Sequence, residues 1–160
     1  MLINGEKVYL YSPFDVKRWT DQEIEKEVSS LIKEYNPDAD TMYLLSANVE
    51  ILANIQYLYG EMIARITHEY EMLKLQVGVM EDKAAHTLRS SWIGDGKAPA
   101  MSYFEAQARE LAKDEREKML MKYEMLTRFK FSYDSYEAKI NAIKKKIDSI
   151  RYEEFGGMNG

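Results

Sequence analysis

Apolar residues in the second half of the chain recur at alternating steps of three and four. Leu126, Phe129, Tyr133, Tyr136, Ile140, Ile143, Ile147 and Ile150 follow this rule without interruption. Side chains three and four apart share one face of a helix, so the spacing predicts a long helix with a coiled-coil seam. A second seam reads Leu52, Ile55, Tyr59, Met62, Ile66, then Tyr70, Leu73, Val77, Met80, Ala84. It contains one additional four-residue step near Ile66, a stutter. This pattern predicts a helix from Asp40 or Thr41 to about Trp92. Gly60 and Gly78 lie inside it, at about 1 kcal/mol each relative to alanine, and suggest close helix-helix approach.

A shorter helix comes first. Thr20 and Glu23 form a capping-box pattern, Ile24, Val28, Leu31, Ile32 and Tyr35 share a face, and Pro37 ends the segment. Before it, "MLINGEKVYLY" places apolar runs around Asn4-Gly5, the signal of a small β-ribbon or an extended arm. At the other end "EEFGGMNG" loses the periodicity and reads as a flexible tail from 156 to 160.

Between the two long helices lies "SSWIGDGKAPAMSYFEA", residues 90–106. Gly94 and Gly96 allow a turn, Pro99 stiffens it, and Ser102 with Glu105 restarts a helix through a second capping box. Helices of equal length joined by a short loop predict a hairpin, each arm about 75 Å long at 1.5 Å per residue. The expected fold is therefore mainly α: a long antiparallel helical hairpin over 38–155, preceded over 1–37 by the ribbon or arm and one helix. Leu44, Leu45, Val49, Leu58, Ile63, Leu75, Met119, Met121 and Met125 fall off the seams. The first helix can cover part of them, and the remainder points to a second copy of the chain.

Composition narrows the chemistry. Among 160 residues there are three prolines, eight glycines and no cysteine, so loops are few and thiol chemistry is absent. No apolar run approaches the length of a membrane span and none resembles a signal peptide, so a cytoplasmic protein is expected. The net charge of −5 is unevenly spread: residues 1–82 carry −8 and residues 83–160 carry +3. An acidic total can therefore coexist with a basic working face.

Catalytic patterns are missing. A di-iron bundle needs paired Glu-x-x-His motifs, but Arg65 and Lys83 stand three residues before His68 and His86. Phosphate loops, H-E-x-x-H and G-x-S-x-G are absent as well. Asp82 and His86 are four apart, a spacing compatible with a metal site that the pattern does not favour. No enzyme activity, metal or cofactor is expected.

The cations near the turn are more informative. Lys83, His86, Arg89 and Lys97 approach it on one arm, and Arg109, Lys113 and Arg116 leave it on the other. A hairpin makes these groups neighbours, with Trp92, Tyr103 and Phe104 between them. Cations beside aromatic rings suit single-stranded nucleic acid, whose phosphates meet Lys and Arg and whose bases stack on rings. The ordinary alternative is a solvated helix face with a core Trp. Lys144, Lys145, Lys146 and Arg151 flank the isoleucine seam and read as coiled-coil surface.

The order of these parts, with the Lys-x-x-His-x-x-Arg run, the aromatic, the "GDG" and the terminal "LTRFKFSYDSYEAKINAIKKKIDSIRYEE", resembles the UvsY recombination mediators of T-even phages over about residues 40–154. The resemblance implies a phage protein in the host cytoplasm that binds single-stranded DNA as a ring-like homo-oligomer. It further implies partners: a RecA-type recombinase, and the single-strand-binding protein that the recombinase replaces. The family's basic run falls on Lys83, His86 and Arg89, where His86 replaces a full cation and Glu81 and Asp82 adjoin. Trp92, Lys97, Arg109 and Lys113 complete the expected binding set, and Leu126, Phe129, Tyr133, Tyr136, Ile140, Ile143 and Ile147 the expected oligomer contacts. Two other classes fit the same pattern: an interaction protein that binds a phage or host protein, such as a host defence component, and a structural coiled-coil assembly factor.

Overall fold

The computed structural model describes Leu2–Ile3, Glu6–Lys7 and residues 16–156, with side chains over 16–153. In order, the elements are β1 (Leu2–Ile3), β2 (Glu6–Lys7), α1 (Asp21–Glu34), α2 (Met42–Ser90), α3 (Met101–Leu111) and α4 (Lys113–Gly156). The chain is mainly helical, as the periodicity predicts. β1 and β2 pair antiparallel, Leu2 opposite Lys7 and Ile3 opposite Glu6. The Asn4-Gly5 turn, the arm up to residue 15 and the tail from 157 lie outside the described residues.

The expected capping box starts α1. Thr20 Oγ1 accepts from the Glu23 N–H at 3.3 Å, and Glu23 Oε2 accepts from the Thr20 N–H at 2.6 Å. These bonds, first to the Thr20 backbone and then to its side chain, hold the Glu23 carboxyl below its ordinary range. The helix stops at Glu34, and the extended Tyr35 closes it by donating its N–H to the Leu31 carbonyl.

Contacts divide the chain into two compact units, residues 1–63 with 129–160, and residues 64–128. α2 and α4 contribute to both. In the first unit, Ile24, Val28 and Leu31 of α1 meet Ile51, Leu52, Ile55, Leu58 and Met62 of α2 and Ile140 of α4, with Val16 beneath. Phe129, Tyr136 and Ile143 pack against this core. Tyr59 touches Phe129 and Tyr136 at 5.3 and 5.5 Å between centroids, while Ala39 and Leu45 meet Ile147. Later residues of α2 thus meet earlier residues of α4, so the two segments run antiparallel here.

In the second unit Ile66, Val77 and Leu126 are buried, and Tyr70 meets Tyr123 at 5.5 Å. Ion pairs Lys122–Glu69 and Arg116–Glu81 tie α4 to α2, again in antiparallel order. Met80, expected in the seam, is 44% exposed. Its place is taken by Glu81, drawn to Arg116, and by the buried Ala85. Gly78 has no atom within 4 Å of where a Cβ would stand, so no close approach occurs there. At Gly60, in the first unit, a Cβ would meet Tyr133 at 3.6 Å, an ordinary contact.

The third helix departs from expectation twice. It begins at Met101 with Ala100 as N-cap and no side-chain cap bond. Ser102 therefore sits within the first turn, where its hydroxyl cannot serve as the cap. The helix also breaks at Ala112, which adopts φ −92° and ψ 12°. Phe104, Ala108 and Ala112 are all buried at successive steps of four. Such steps drift by about 40° each on a helix of 3.6 residues per turn. The interruption is confined to one residue, because Ala112 still donates to Ala108 and accepts from the Arg116 N–H.

Candidate nucleic-acid interface

Residues 91–100 join α2 to α3, all within the second unit. The end of α2 is dressed by its own serines: Ser90 Oγ donates to the His86 carbonyl at 2.8 Å, and Ser91 Oγ to Thr87 at 2.9 Å. These hydroxyls bond back to carbonyls one turn earlier, Thr87 already accepting from the Ser91 N–H at 3.0 Å, and so reinforce the last turn of α2. Gly96 takes φ +100°, a conformation that favours glycine. Gly94 has a different role, because a Cβ there would overlap the Trp92 ring. The glycine leaves the space that the indole occupies beside the loop backbone.

Three aromatic rings gather at this turn. Trp92 meets Tyr103 at 6.5 Å and Phe104 at 6.1 Å, and Tyr103 meets Phe104 at 5.4 Å, all edge to face. Phe104 is the anchor, buried with Ala85 and Ala108. Trp92 is 40% and Tyr103 46% exposed, so Trp92 is not a core residue. One buried ring therefore holds two half-exposed rings at the surface.

Of the predicted cations of this region Lys83, His86, Arg89, Lys97, Arg109 and Lys113 are exposed, and Arg116 is half-buried. Among the described residues none of the exposed ones forms an ion pair, and Arg89 Nη1 lies 3.8 Å from Met101 Sδ. Arg116, Lys118 and Lys122, a little further along α4, are paired with Glu81, Glu115 and Glu69. Arg109, Lys113 and Arg116 share a shallow hollow of about 330 Å³ at the α3–α4 junction with Glu110, Glu117 and Leu120. Asp95, Glu105 and Glu110 are also exposed here. From 83 to 113, five basic residues face these three acids, a net charge of +2.

The residues expected to join copies lie elsewhere, facing inward. Leu126 is buried in the second unit. Phe129, Tyr136, Ile140, Ile143 and Ile147 pack into the cores of the first, and Tyr133 lies against Gly60. An oligomer therefore needs another face. Lys144 and Lys145 are exposed, and Lys146 donates to the Ala39 carbonyl at 3.0 Å.

Sequence reasoning missed the support given by Gly94 to Trp92 and the Glu81–Arg116 pair. The first has a local signal, a glycine two residues after a Trp in a turn. The second needs the three-dimensional alignment of two helices. Among the described residues no helix is long and apolar enough to cross a membrane, and no group of three or more His, Asp or Glu is placed to hold a metal ion. No protein-family model, curated protein or solved structure matches the chain.

Proposed function

We propose that the chain is a non-catalytic single-stranded nucleic-acid-binding protein that acts as a homo-oligomer. The observation that carries this reading is the pair of half-exposed rings, Trp92 and Tyr103, beside exposed cations that have no ion-pair partner among the described residues. Phosphates contact Arg89, Lys97, Lys83, Arg109 and Lys113, and a base stacks on the exposed indole. The acids in the same region keep one site weak. Several linked sites on one strand raise the affinity through effective concentration. In its full form the reading is a recombination mediator that presents the coated strand to a RecA-type recombinase in place of single-strand-binding protein. That last step is supported by the sequence resemblance alone.

A salt series with a fluorescent oligonucleotide tests the binding. Lys83→Ala with Arg89→Ala lowers affinity and flattens the slope of log K against log salt by about 0.7 per lost phosphate contact on each engaged subunit. Equal binding by parent and double variant across the series removes the turn as the interface. The mediator step is read separately, as release of single-strand-binding protein when recombinase and this protein are added together.

A further inference from the structure

Trp92 and Tyr103 stand nearly at right angles. Their ring centroids are 6.5 Å apart and their planes meet at 81°. The buried Phe104 fixes this angle, because it meets Trp92 at 74° and Tyr103 at 80°, again edge to face. Neither ring can turn parallel to the other and keep its contact with Phe104. Trp92 is held further by the loop, where it fills the space that a side chain on Gly94 would need. Both rings nonetheless stay half-exposed.

Neighbouring bases of a relaxed single strand lie parallel in a stack. A base lying flat on an aromatic side chain instead takes the orientation of that ring. Two neighbouring bases resting on Trp92 and Tyr103 are therefore turned nearly perpendicular to each other, and the stack between them is broken. The protein exchanges one base–base contact for two base–ring contacts. Breaking the stack costs energy, so the exchange is most favourable where the base–base contact is weakest. Thymine and uracil stack weakly on one another and adenine stacks strongly. Differences in stacking strength of this kind set the modest sequence preferences of proteins that bind single strands.

We propose that Tyr103 is a second base platform beside Trp92, and that the two rings seat neighbouring bases of a strand bent at that step, so that the turn favours thymine or uracil runs over adenine runs. This rests on the single-strand reading, and adds to it a second contact residue, the shape of the bound strand and its preferred composition.

Fluorescence anisotropy with oligo(dT) and oligo(dA) of equal length tests it. The parent binds oligo(dT) several-fold more tightly than oligo(dA), and Tyr103→Phe, which keeps the ring, keeps that ratio. Tyr103→Ala removes an exposed ring and leaves helix content by circular dichroism unchanged. It leaves Trp92 alone, which a stacked strand can meet with its terminal base, so oligo(dT) loses more affinity than oligo(dA) and the ratio moves towards one. The dichroism of oligo(dA) that reports base stacking falls when the parent saturates the strand, and is retained with Tyr103→Ala. Equal affinity of the parent for the two strands overturns the bent step and leaves single-strand binding in place. A preference that survives undiminished in Tyr103→Ala also overturns it, because the preference then belongs to strand flexibility and not to a second ring. Failure of the parent to bind either strand overturns the single-strand reading itself, and the bent step with it.

Discussion

The side chain of Asn48 and the backbone of Asn36 hold each other in a reciprocal pair. Asn48 Oδ1 accepts from the Asn36 N–H at 3.0 Å, and Asn48 Nδ2 donates to the Asn36 carbonyl at 2.6 Å. Asn48 is 3% exposed and is the buried polar residue among those described. One side chain of α2 thus supplies both partners that the backbone after α1 needs where the chain turns. Asn48→Ala leaves the N–H and carbonyl of the half-buried Asn36 without these partners, at about 1 kcal/mol for each lost bond. Urea denaturation reads the loss, while oligonucleotide binding by the folded variant stays at the parent's level.

Glycine inside α2 gives an opposite expectation. Gly78 is exposed and nothing lies near the site of an added Cβ. Gly78→Ala therefore raises stability by about 0.5–1 kcal/mol, because the helix gains propensity and the unfolded chain loses freedom. A lower urea midpoint for the variant would place an unseen neighbour at this position.

Gly94 behaves differently from Gly78. An alanine there displaces the Trp92 ring it would overlap. In a Trp19→Phe background, where Trp92 is the sole indole, Gly94→Ala shifts the tryptophan emission and weakens oligonucleotide binding. Trp92→Ala costs about 1–3 kcal/mol of binding if the ring stacks on a base. Unchanged binding in both variants would confine the aromatic cluster to bracing the turn.

Acid should loosen the start of α1. The Glu23 carboxyl is held below its ordinary range by its bonds to Thr20. A depressed carboxyl contributes stability that is fully present above its unfolded value and lost as pH falls through its folded value. Helicity followed by circular dichroism on acidification therefore falls in this range, and Glu23→Gln reduces that component. An identical acid profile for the two proteins would count against the cap as its source.

Much of the helical architecture was legible because apolar spacing is a direct record of which face is buried. Leu52, Ile55, Met62, Ile66 and Val77 are buried where the three-four rule puts them. The rule failed at Met80, because beyond Val77 the inward face advances by fours, through Glu81 paired with Arg116 to the buried Ala85, and leaves Met80 outside it. It was silent at Ala112, since an alanine carries no breaker signal. At the turn, the aromatic and basic residues were readable as a cluster. Which ring anchors and which rings stay half-exposed depended on the packing of Phe104 with Ala85, residues far apart in sequence.

The interruption at Ala112 also bears on how the turn can change over evolutionary time. In an unbroken helix each inserted residue rotates everything after it by about 100°. A length change between the turn and α4 would then swing the whole isoleucine face out of register. At Ala112 the backbone leaves helical values for one residue while the bonds from Ala112 N–H to Ala108 and from Arg116 N–H to Ala112 continue across it, so a rotation begun in α3 is passed on to α4. Length changes are therefore absorbed by residues 91–100, which belong to no helix and can grow or shrink while Leu126 and Ile140 keep their bearings.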